Sequence, residues 1–513
     1  MKAIKRLLVT MLAASMVIGL TACSNSSTKE NVVDTQKSTT TADKKSYDKI
    51  VYSYATFNNI PDEGTLGTVE EAINQITREK IGVEVELRPI AIFEYSSNIS
   101  LALQGGDKVD LFESLGDFNN CVSSDMAYDL TDLMDTYAPE TKALLGQDLL
   151  DACVKDGKLY GIPTYKPYAL TPMVIYKQAI ADELGIDMNQ VKSIYDLTDV
   201  LRKVKAAYPD MTPLVPVQTG TSGVNMCIPK VDYLTDDYFS PKGVIMGDSM
   251  TVVDYYGTSE FAELTNLTRT WYNEGLILQD AATTTSTATE LMSADNSFCY
   301  VASYSYPTED TAASLEPQVG GIDLGAVQIG EAYLDTTSVN ALSWMVSSTS
   351  KAPEAALKFL NLTFTDQEII NLLIYGIKDR DYVMDAEGYV SYPEGMDATT
   401  VPYTAQLSCG TLGNFFLMHP MVGTSKESIV WEEEQNEKAA KSPAMGFTFD
   451  SSEVTTEYAG VVNVINQYLP GLLCGSVDPV TVIPEFREKL SVAGLDTIIA
   501  AKQKQLDEWL AQQ

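Results

Sequence analysis

Between residues 49 and 91 the chain reads "KIVYSYATF", then "VEEAINQITREK", then "VEVELRP". The outer two segments are strand-like, the second of them with period-two alternation. The middle one repeats apolar residues at helical spacing through Val69, Ala72, Ile73 and Ile76. Thr68 and Glu71 fit a capping box for that helix, and Gly82 is placed to end it. A strand, a helix and a strand joined this closely call for a crossover connection, which places them in a parallel, doubly wound α/β sheet. "VDLFES", after the Gly105-Gly106 turn, reads as a third strand, and amphipathic helices follow through "LTDLMDTYA".

At 513 residues the chain exceeds one ordinary core, and its length favours two large lobes or two to three domains. The passage "GKLYGIPTYKPYALTPMVIYK" has two extended segments around a Pro-, Tyr- and Thr-rich stretch. It is extended for long enough to leave one lobe and enter another. Mostly helical segments then alternate with loops from 194 to 330, before the strand-like "FCYVASYSY" and "GAVQIG". A strand "ALSWMVSS", the helices "PEAALKFLNLTF" and "DQEIINLLIYG", and a helical C-terminal region ending in "DTIIAAKQKQLDEWLAQQ" complete the chain. No repeat of 20 to 50 residues is evident.

The N-terminal 22 residues have the three parts of a secretory leader: basic "MKAIKR", an apolar stretch over 7–20, and the small residues Thr21 and Ala22. Leu20-Thr21-Ala22-Cys23 resembles the bacterial lipobox, whose cysteine is acylated before the leader is removed. Cys23 is therefore the expected lipidation site, and a lipid-anchored protein on the extracytoplasmic face of the cell membrane is the expected location. Residues 23–48, rich in Ser, Thr, Asp and Lys, read as a flexible tether. No later apolar run reaches the roughly 18 residues of a bilayer span.

A formal charge of -35 repels nucleic acid and sets phosphate-backbone binding aside. Apart from Cys23 the cysteines are scattered singly at 121, 153, 227, 299, 409 and 474, without a CxxC pair, and read as buried thiols. With His419 the only histidine, metal ligation is poorly served, and neither metal nor cofactor is expected.

The segments "GKLYGIP" with "MVIYK" downstream, "WYNEGLI" before Asp280, "SKAPEAALKFLN", "NLLIYG", "GFTFD", "NQYLPGLLCGSVDP" and "AKQKQLDEWL" follow one another in a specific order. In that order the chain resembles the extracytoplasmic solute-binding lipoproteins of ABC importers, of the family 1 sugar-binding type. The last two segments look like the C-terminal domain of unknown function in a Gram-positive, LplA-like subset. The resemblance implies a two-lobed periplasmic-binding-protein-like fold of type II, with a ligand cleft between lobes joined by hinge segments. Carried over by segment, crossings are expected near 163–173, 327–331 and 376–382. Residues 49–168 and 330–380 would form one lobe, and 169–329 and 381–513 the other, with the C-terminal family domain from about 440. At the third crossing, relatives often read Gly-Ile-Glu-Gly where this chain has Gly376-Ile377-Lys378-Asp379.

A sugar presents apolar C–H faces and a rim of hydroxyls, so its site needs aromatic platforms and planar hydrogen-bonding groups. Loops after the strands supply candidates: Phe57 and Asn58 after the first, Ser114 and Asp117 after "VDLFES", and Tyr165 and Tyr168 at the crossing. By position Tyr304 and Tyr306 match the aromatic platform of sugar-binding relatives, and Asn414 falls in the lobe the family uses to cover its ligand. Plainer roles stand beside these. Asp117 could be a solvated charge, Asn58 a turn residue, and Trp271 core packing for its helix.

The resemblance implies a non-enzymatic receptor, acting as a monomer, that captures a small solute by lobe closure and hands it to permease subunits. An extracellular glycoside hydrolase is the enzyme alternative, yet no local signature picks a catalytic pair from 70 acidic residues. GxSxG and Walker motifs are both absent. A surface sensor or adhesin on the same fold is the other alternative.

Overall fold

The strand-helix-strand alternation that opens the body is realised as β1 (Asp48–Thr56), α1 (Glu63–Lys80) and β2 (Val83–Ala91). The computed structural model describes residues 46–57, 60–217, 220 and 223–512, with only the backbone of 407–409, so Cys23 and Asn58 lie outside the described residues. β1 and β2 pair in parallel, from Asp48 opposite Val83 to Thr56 opposite Ala91. β1 is buried on both faces from Ile50 onward, which is why its sequence does not alternate, whereas β2 buries one face and does. Helix α1 starts earlier than the capping box at Thr68 and Glu71 suggested. The Asp62 carboxylate accepts the N–H groups of Gly64 and Thr65 and caps it there. Thr68 instead donates to Gly64 O within the helix, and Glu71 pairs with Arg78. Gly82, at φ +70°, ends the helix as expected.

Seven further strands matter to the architecture: β3 (Leu111–Glu113), β4 (Ile162–Pro163), β5 (Thr171–Lys177), β6 (Thr212–Leu214), β7 (Ser297–Tyr304), β8 (Leu324–Gln328) and β9 (Ser343–Val346). They form a five-stranded sheet in the order β2-β1-β3-β9-β4 and a four-stranded sheet in the order β8-β5-β7-β6. In the first, β3 is parallel to β1, and β9, which returns from the other sheet, is antiparallel to both β3 and β4. In the second, β5 is antiparallel to β7 and β8, and β6 is parallel to β7. Around them lie α2 (Ile92–Gly105), α3 (Ser259–Asn273), α4 (Thr308–Leu315), α5 (Pro353–Thr365), α6 (Gln367–Tyr375), α7 (Lys426–Lys438), α8 (Thr455–Leu473), α9 (Pro479–Ala493) and α10 (Leu495–Leu510).

Each sheet carries its own core, so the molecule has two lobes. In the first, Tyr52 of β1 stacks on Trp344 of β9 with ring centroids 4.2 Å apart, and Trp344 Nε1 donates to Thr411 O. In the second, Val174 and Tyr176 of β5 face a core that includes Phe261 and Trp271 of α3 with Ile465, Phe486, Ile498 and Leu506 of α8–α10. Met173 and Ile175, on the other face of the same strand, enter a smaller cluster with Tyr300. Period-two alternation thus covers the second sheet on both sides.

Residues 164–170 and 329–342 connect the two sheets, where the first two crossings were expected. The third departs from the expectation of 376–382. Val390, Tyr403, Ala405 and Leu412 are buried in the first core, so the stretch after 380 stays on the first lobe. The chain crosses instead along α7: Asn436 Oδ1 accepts from Tyr168 N of the first passage (2.8 Å), Ser428 bonds Asp310 of α4, and Glu432 Oε1 accepts from Ser305 at the end of β7 (2.7 Å). Ala440–Lys441 then pairs with Tyr333–Leu334 of the second passage, and Ala444 enters the second core.

The C-terminal helix α10 reads as charged, yet Lys502 on it has no exposed surface. Its ammonium donates to Asp236 Oδ2 (2.7 Å), Gly243 O (2.9 Å) and Tyr233 O (3.2 Å), and so fastens the end of the chain to a loop of the second lobe. A buried ammonium is tolerated only when its protons are matched in this way.

At the end of β3 the carboxyl of Glu113 is buried between the first-lobe tyrosines. Oε2 accepts from Ala55 N (3.3 Å), the Thr411 hydroxyl bonds the same carboxyl, and Oε1 has no partner among the described residues. Burial pushes its pKa up to about 8. The folded pKa exceeds the unfolded value of about 4.3, so this group's contribution to stability is complete below that value and is lost as pH climbs toward 8. Glu113→Gln keeps an acceptor for Ala55 N–H and cannot ionise. Urea denaturation of both proteins at pH 5 and pH 8 should show the variant gaining on the parent as pH rises, and a pH-independent difference would refute this.

Candidate functional site

The loops that leave the strands distribute the sequence-expected residues unevenly. Phe57, after β1, is 52% exposed. After β3 the chain turns through Leu115 (φ +43°) and Gly116 (φ +82°), which aims Asp117 outward at the start of the short helix Phe118–Ser123. Asp117 is exposed and accepts from Asn120 Nδ2 (2.9 Å). Tyr304, the last residue of β7, and Tyr306 just beyond it are half-buried, with the Tyr304 hydroxyl bonded to that of Tyr300 (2.7 Å).

Three of the expected ligand residues have their polar groups committed to the fold. Ser114 is buried, and its hydroxyl accepts from Ser343 N (3.1 Å), which ties β3 to the start of β9. The buried Tyr168 donates its hydroxyl to Thr164 O and its N–H to Asn436 Oδ1. Asn414 donates Nδ2 to Phe364 O (3.1 Å) and accepts Phe416 N at Oδ1 (2.9 Å), which makes it a cap for the next turn rather than a ligand group. Tyr165 packs edge-on against Phe416 with centroids 5.0 Å apart and lines a separate hollow beside Asn436 and Lys441. The strand-end argument could not see which side chains the hinge would consume.

Between the lobes lies a cavity of about 430 Å³, within the usual range for small-molecule sites. The first lobe contributes Asp117, Asn119, Asn120 and Lys155; the second passage contributes Thr337 and Asn340; the second lobe contributes Thr235 and a stretch from Phe449 to Tyr458. Two of its residues also carry a buried oxygen that has no partner among the described residues, Asn119 Oδ1 and Thr337 Oγ1. The rings of Phe449 and Tyr458 lie 6.3 Å apart at 23°. Asp450 is held below the usual carboxylate range, first by the Ser452 N–H and also by the nearby Lys155 charge, so it stays anionic. A groove of about 470 Å³ along β2 and α2 is lined by the first lobe alone and would not sense closure.

The cavity thus combines amides, hydroxyls, two carboxylates, one ammonium and paired aromatic rings, a set suited to holding a polyhydroxylated solute by its rim and its faces. Of the expected residues it takes in Asp117, and neither Tyr304 nor Tyr306 lines it. Asn119, Thr337, Phe449 and Tyr458 escaped the sequence reading, although "DFNNC" and "GFTFD" contain two of them. Among the described residues no group of three or more His, Cys, Asp or Glu is arranged to hold a metal. Cys121, Cys153, Cys227, Cys299 and Cys474 are free thiols, and burial pushes the first three and Cys474 up to about 12. His419 serves through its main chain, its N–H bonded to Asn371 Oδ1 and its C=O to the Tyr375 hydroxyl.

Comparison with known proteins agrees with this architecture. The family described as bacterial extracellular solute-binding protein matches residues 71–375, and a domain of unknown function, DUF3502, matches residues 443–511. A carbohydrate ABC transporter substrate-binding protein of Streptococcus pneumoniae serotype 4 is 25% identical over 509 residues, which cover 97% of this chain and 96% of that one. The crystal structure of the N-glycan transport solute-binding protein NgtS from Streptococcus pneumoniae superposes with a TM-score of 0.74 at 23% identity, covering 90% of this chain and 99% of that one. NgtS in complex with Man5GlcNAc superposes with a TM-score of 0.60 at 24% identity, covering 91% and 99%.

Asn436 of α7 locks the first passage to the third: Oδ1 accepts from Tyr168 N (2.8 Å) and Ala169 N (3.1 Å), and Nδ2 donates to Lys166 O (2.8 Å). Asn436→Ala leaves these main-chain groups without their partner, at a cost of about 2 kcal/mol or more. Hydrogen exchange should show faster exchange at the Tyr168 and Ala169 amides, with β5 amides unchanged; equal protection in variant and parent would contradict the lock.

Proposed function

The chain belongs to the bacterial extracellular solute-binding proteins, and we propose that within this extracytoplasmic family it is the carbohydrate receptor of an ABC importer. One observation carries the reading: the interlobe cavity is lined from both lobes by amides, hydroxyls, the carboxylates of Asp117 and Asp450 and the ring pair of Phe449 and Tyr458. Sugar hydroxyls answer such polar groups and a sugar's C–H face answers the rings. The substrate-binding relative from Streptococcus pneumoniae and the Man5GlcNAc complex of NgtS support a carbohydrate as the solute.

Capture proceeds by closure. A solute that touches Asp117 and Asn119 on one lobe and the 449–458 stretch on the other shifts the open-closed equilibrium by its difference in affinity for the two states. NgtS superposes at 0.74 in one crystal and at 0.60 with a glycan bound, at nearly the same identity, which supports lobe movement as the variable. The closed form then docks on membrane permease subunits, and acylation of Cys23 keeps the receptor beside them. The relatives are substrate-binding proteins, and this chain too binds its sugar without turning it over.

Thermal melts against oligosaccharides containing mannose and N-acetylglucosamine, with simple sugars, amino acids and peptides alongside, test the reading. A sugar should raise the melting temperature and be recovered intact, and Asp117→Ala and Asn119→Ala should each weaken its Kd by about tenfold, or about 1.4 kcal/mol. Stabilisation by amino acids or peptides alone, or cleavage of the sugar, would sink it. For the anchor, Cys23→Ala should move the protein from the membrane fraction to the medium; a variant that stays membrane-bound refutes acylation at that residue.

A further inference from the structure

We propose that the C-terminal domain over residues 443–511, described only as a domain of unknown function, is the second lobe's solute-contacting wall and sets which carbohydrate is accepted. The inference rests on the reading of the interlobe cavity as the solute site. Of the residues that line the cavity from the second lobe, Thr235 alone lies outside this domain; Phe449, Asp450, Ser451, Ser452, Thr455 and Tyr458 lie within it.

The wall is braced from behind by the domain's own last helix. Gln505 on α10 grips the Asp450 main chain at both ends, accepting from its N–H and donating to its C=O, each at 2.9 Å. One turn earlier on the same helix, Lys502 pairs with Asp236, and Asp236 in turn accepts the Tyr458 hydroxyl. Lys242 adds a second ammonium, 3.5 Å from Asp236 and 4.7 Å from the centre of the Tyr458 ring. Tyr458 and Asp450, ring and carboxylate of the wall, are thus positioned by two residues of α10 three apart in sequence, on one helix face. A side chain whose hydroxyl and backbone are fixed in this way loses little entropy when a ligand arrives.

Asn119 of the first lobe touches the wall directly, its Nδ2 donating to Phe449 O (3.5 Å), and the cavity opens beside this contact. A solute there meets amides and the Asp117 carboxylate from the first lobe and a ring pair, a carboxylate and hydroxyls from the second. Sugar hydroxyls answer the polar groups, and a C–H face answers the rings. The domain is built into the lobe: Ile465, Leu472, Phe486, Ile498 and Leu506 are buried in the second core, and Thr268 Oγ1 donates to Leu472 O (3.0 Å). Deleting it would unfold the lobe, so point variants in the full chain are the proper test.

Asp450→Asn removes the wall's charge and Ser452→Trp, at an exposed position, fills the cavity without entering the core. The probe is a panel of mannose- and N-acetylglucosamine-containing oligosaccharides, titrated calorimetrically against the parent, these two variants and Asp117→Ala on the first lobe, each with its melting temperature checked. Asp450→Asn should weaken binding about tenfold or reorder the panel, and Ser452→Trp should abolish it. Parental affinities and ranking in both variants, alongside a loss in Asp117→Ala, would overturn the role of the C-terminal domain and leave the cavity as the solute site. Parental binding in all three would overturn the cavity reading itself.

Discussion

The carboxamide of Asn436 is the point on which the two lobes depend for their connection. Chain passages between lobes are extended or irregular, and their peptide groups have no sheet or helix to satisfy them. Asn436 supplies two acceptor contacts and one donor to the first passage from a helix that is itself the third passage. The second passage is joined to the third separately, through Tyr333–Leu334 pairing with Ala440–Lys441 and through Thr336 Oγ1, which donates to Ala444 O and accepts from Gly446 N. The hinge is therefore a bonded bundle of three strands of chain, and motion of the lobes has to occur at its ends rather than by fraying its middle.

The same bundle explains what the sequence could and could not reveal. The strands of the first lobe and the helical C-terminal region follow from local periodicity and turn residues, whereas the crossings were expected from the resemblance. The third crossing was misplaced because residues 381–421 carry no local mark of the core they join; Val390, Tyr403 and Leu412 are apolar enough for either lobe. Site residues failed for a related reason. Asn414, Ser114 and Tyr168 have chemistry suited to a ligand, and what commits them to the fold is a hydrogen-bond partner far away in sequence: Phe364 for Asn414, Ser343 for Ser114 and Asn436 for Tyr168. No pattern within a loop encodes such a partner.

A few carboxyls lie where water does not reach them, and the fold accommodates them by two devices. Asp236 is matched by Lys502 and Lys242, and this buried triad secures the C-terminal helix. Glu113, Asp232 and Glu432 instead have their pKa values raised by burial, to about 8, about 7 and about 7, so each spends part of the neutral range as a protonated hydrogen-bonding group, and burial raises Asp335 as well. Matching favours one fixed geometry, whereas protonation permits packing without a counter-ion. The first device is found where the chain end must be held, and the second in the sheet end beneath the cleft and along the crossing helix.

That division bears on how the cavity discriminates. The wall on the second lobe presents the Asp450 carboxylate, hydroxyls and a ring pair at positions set by the fold. A ligand whose hydroxyls and C–H face match those groups closes the lobes over them, whereas one that does not match must close the lobes against polar groups it leaves unsatisfied. Selectivity of this kind depends on the wall staying where it is. The Gln505 and Lys502 braces behind Asp450 and Tyr458 supply that fixity, which is why residues remote from the cavity share in its specificity.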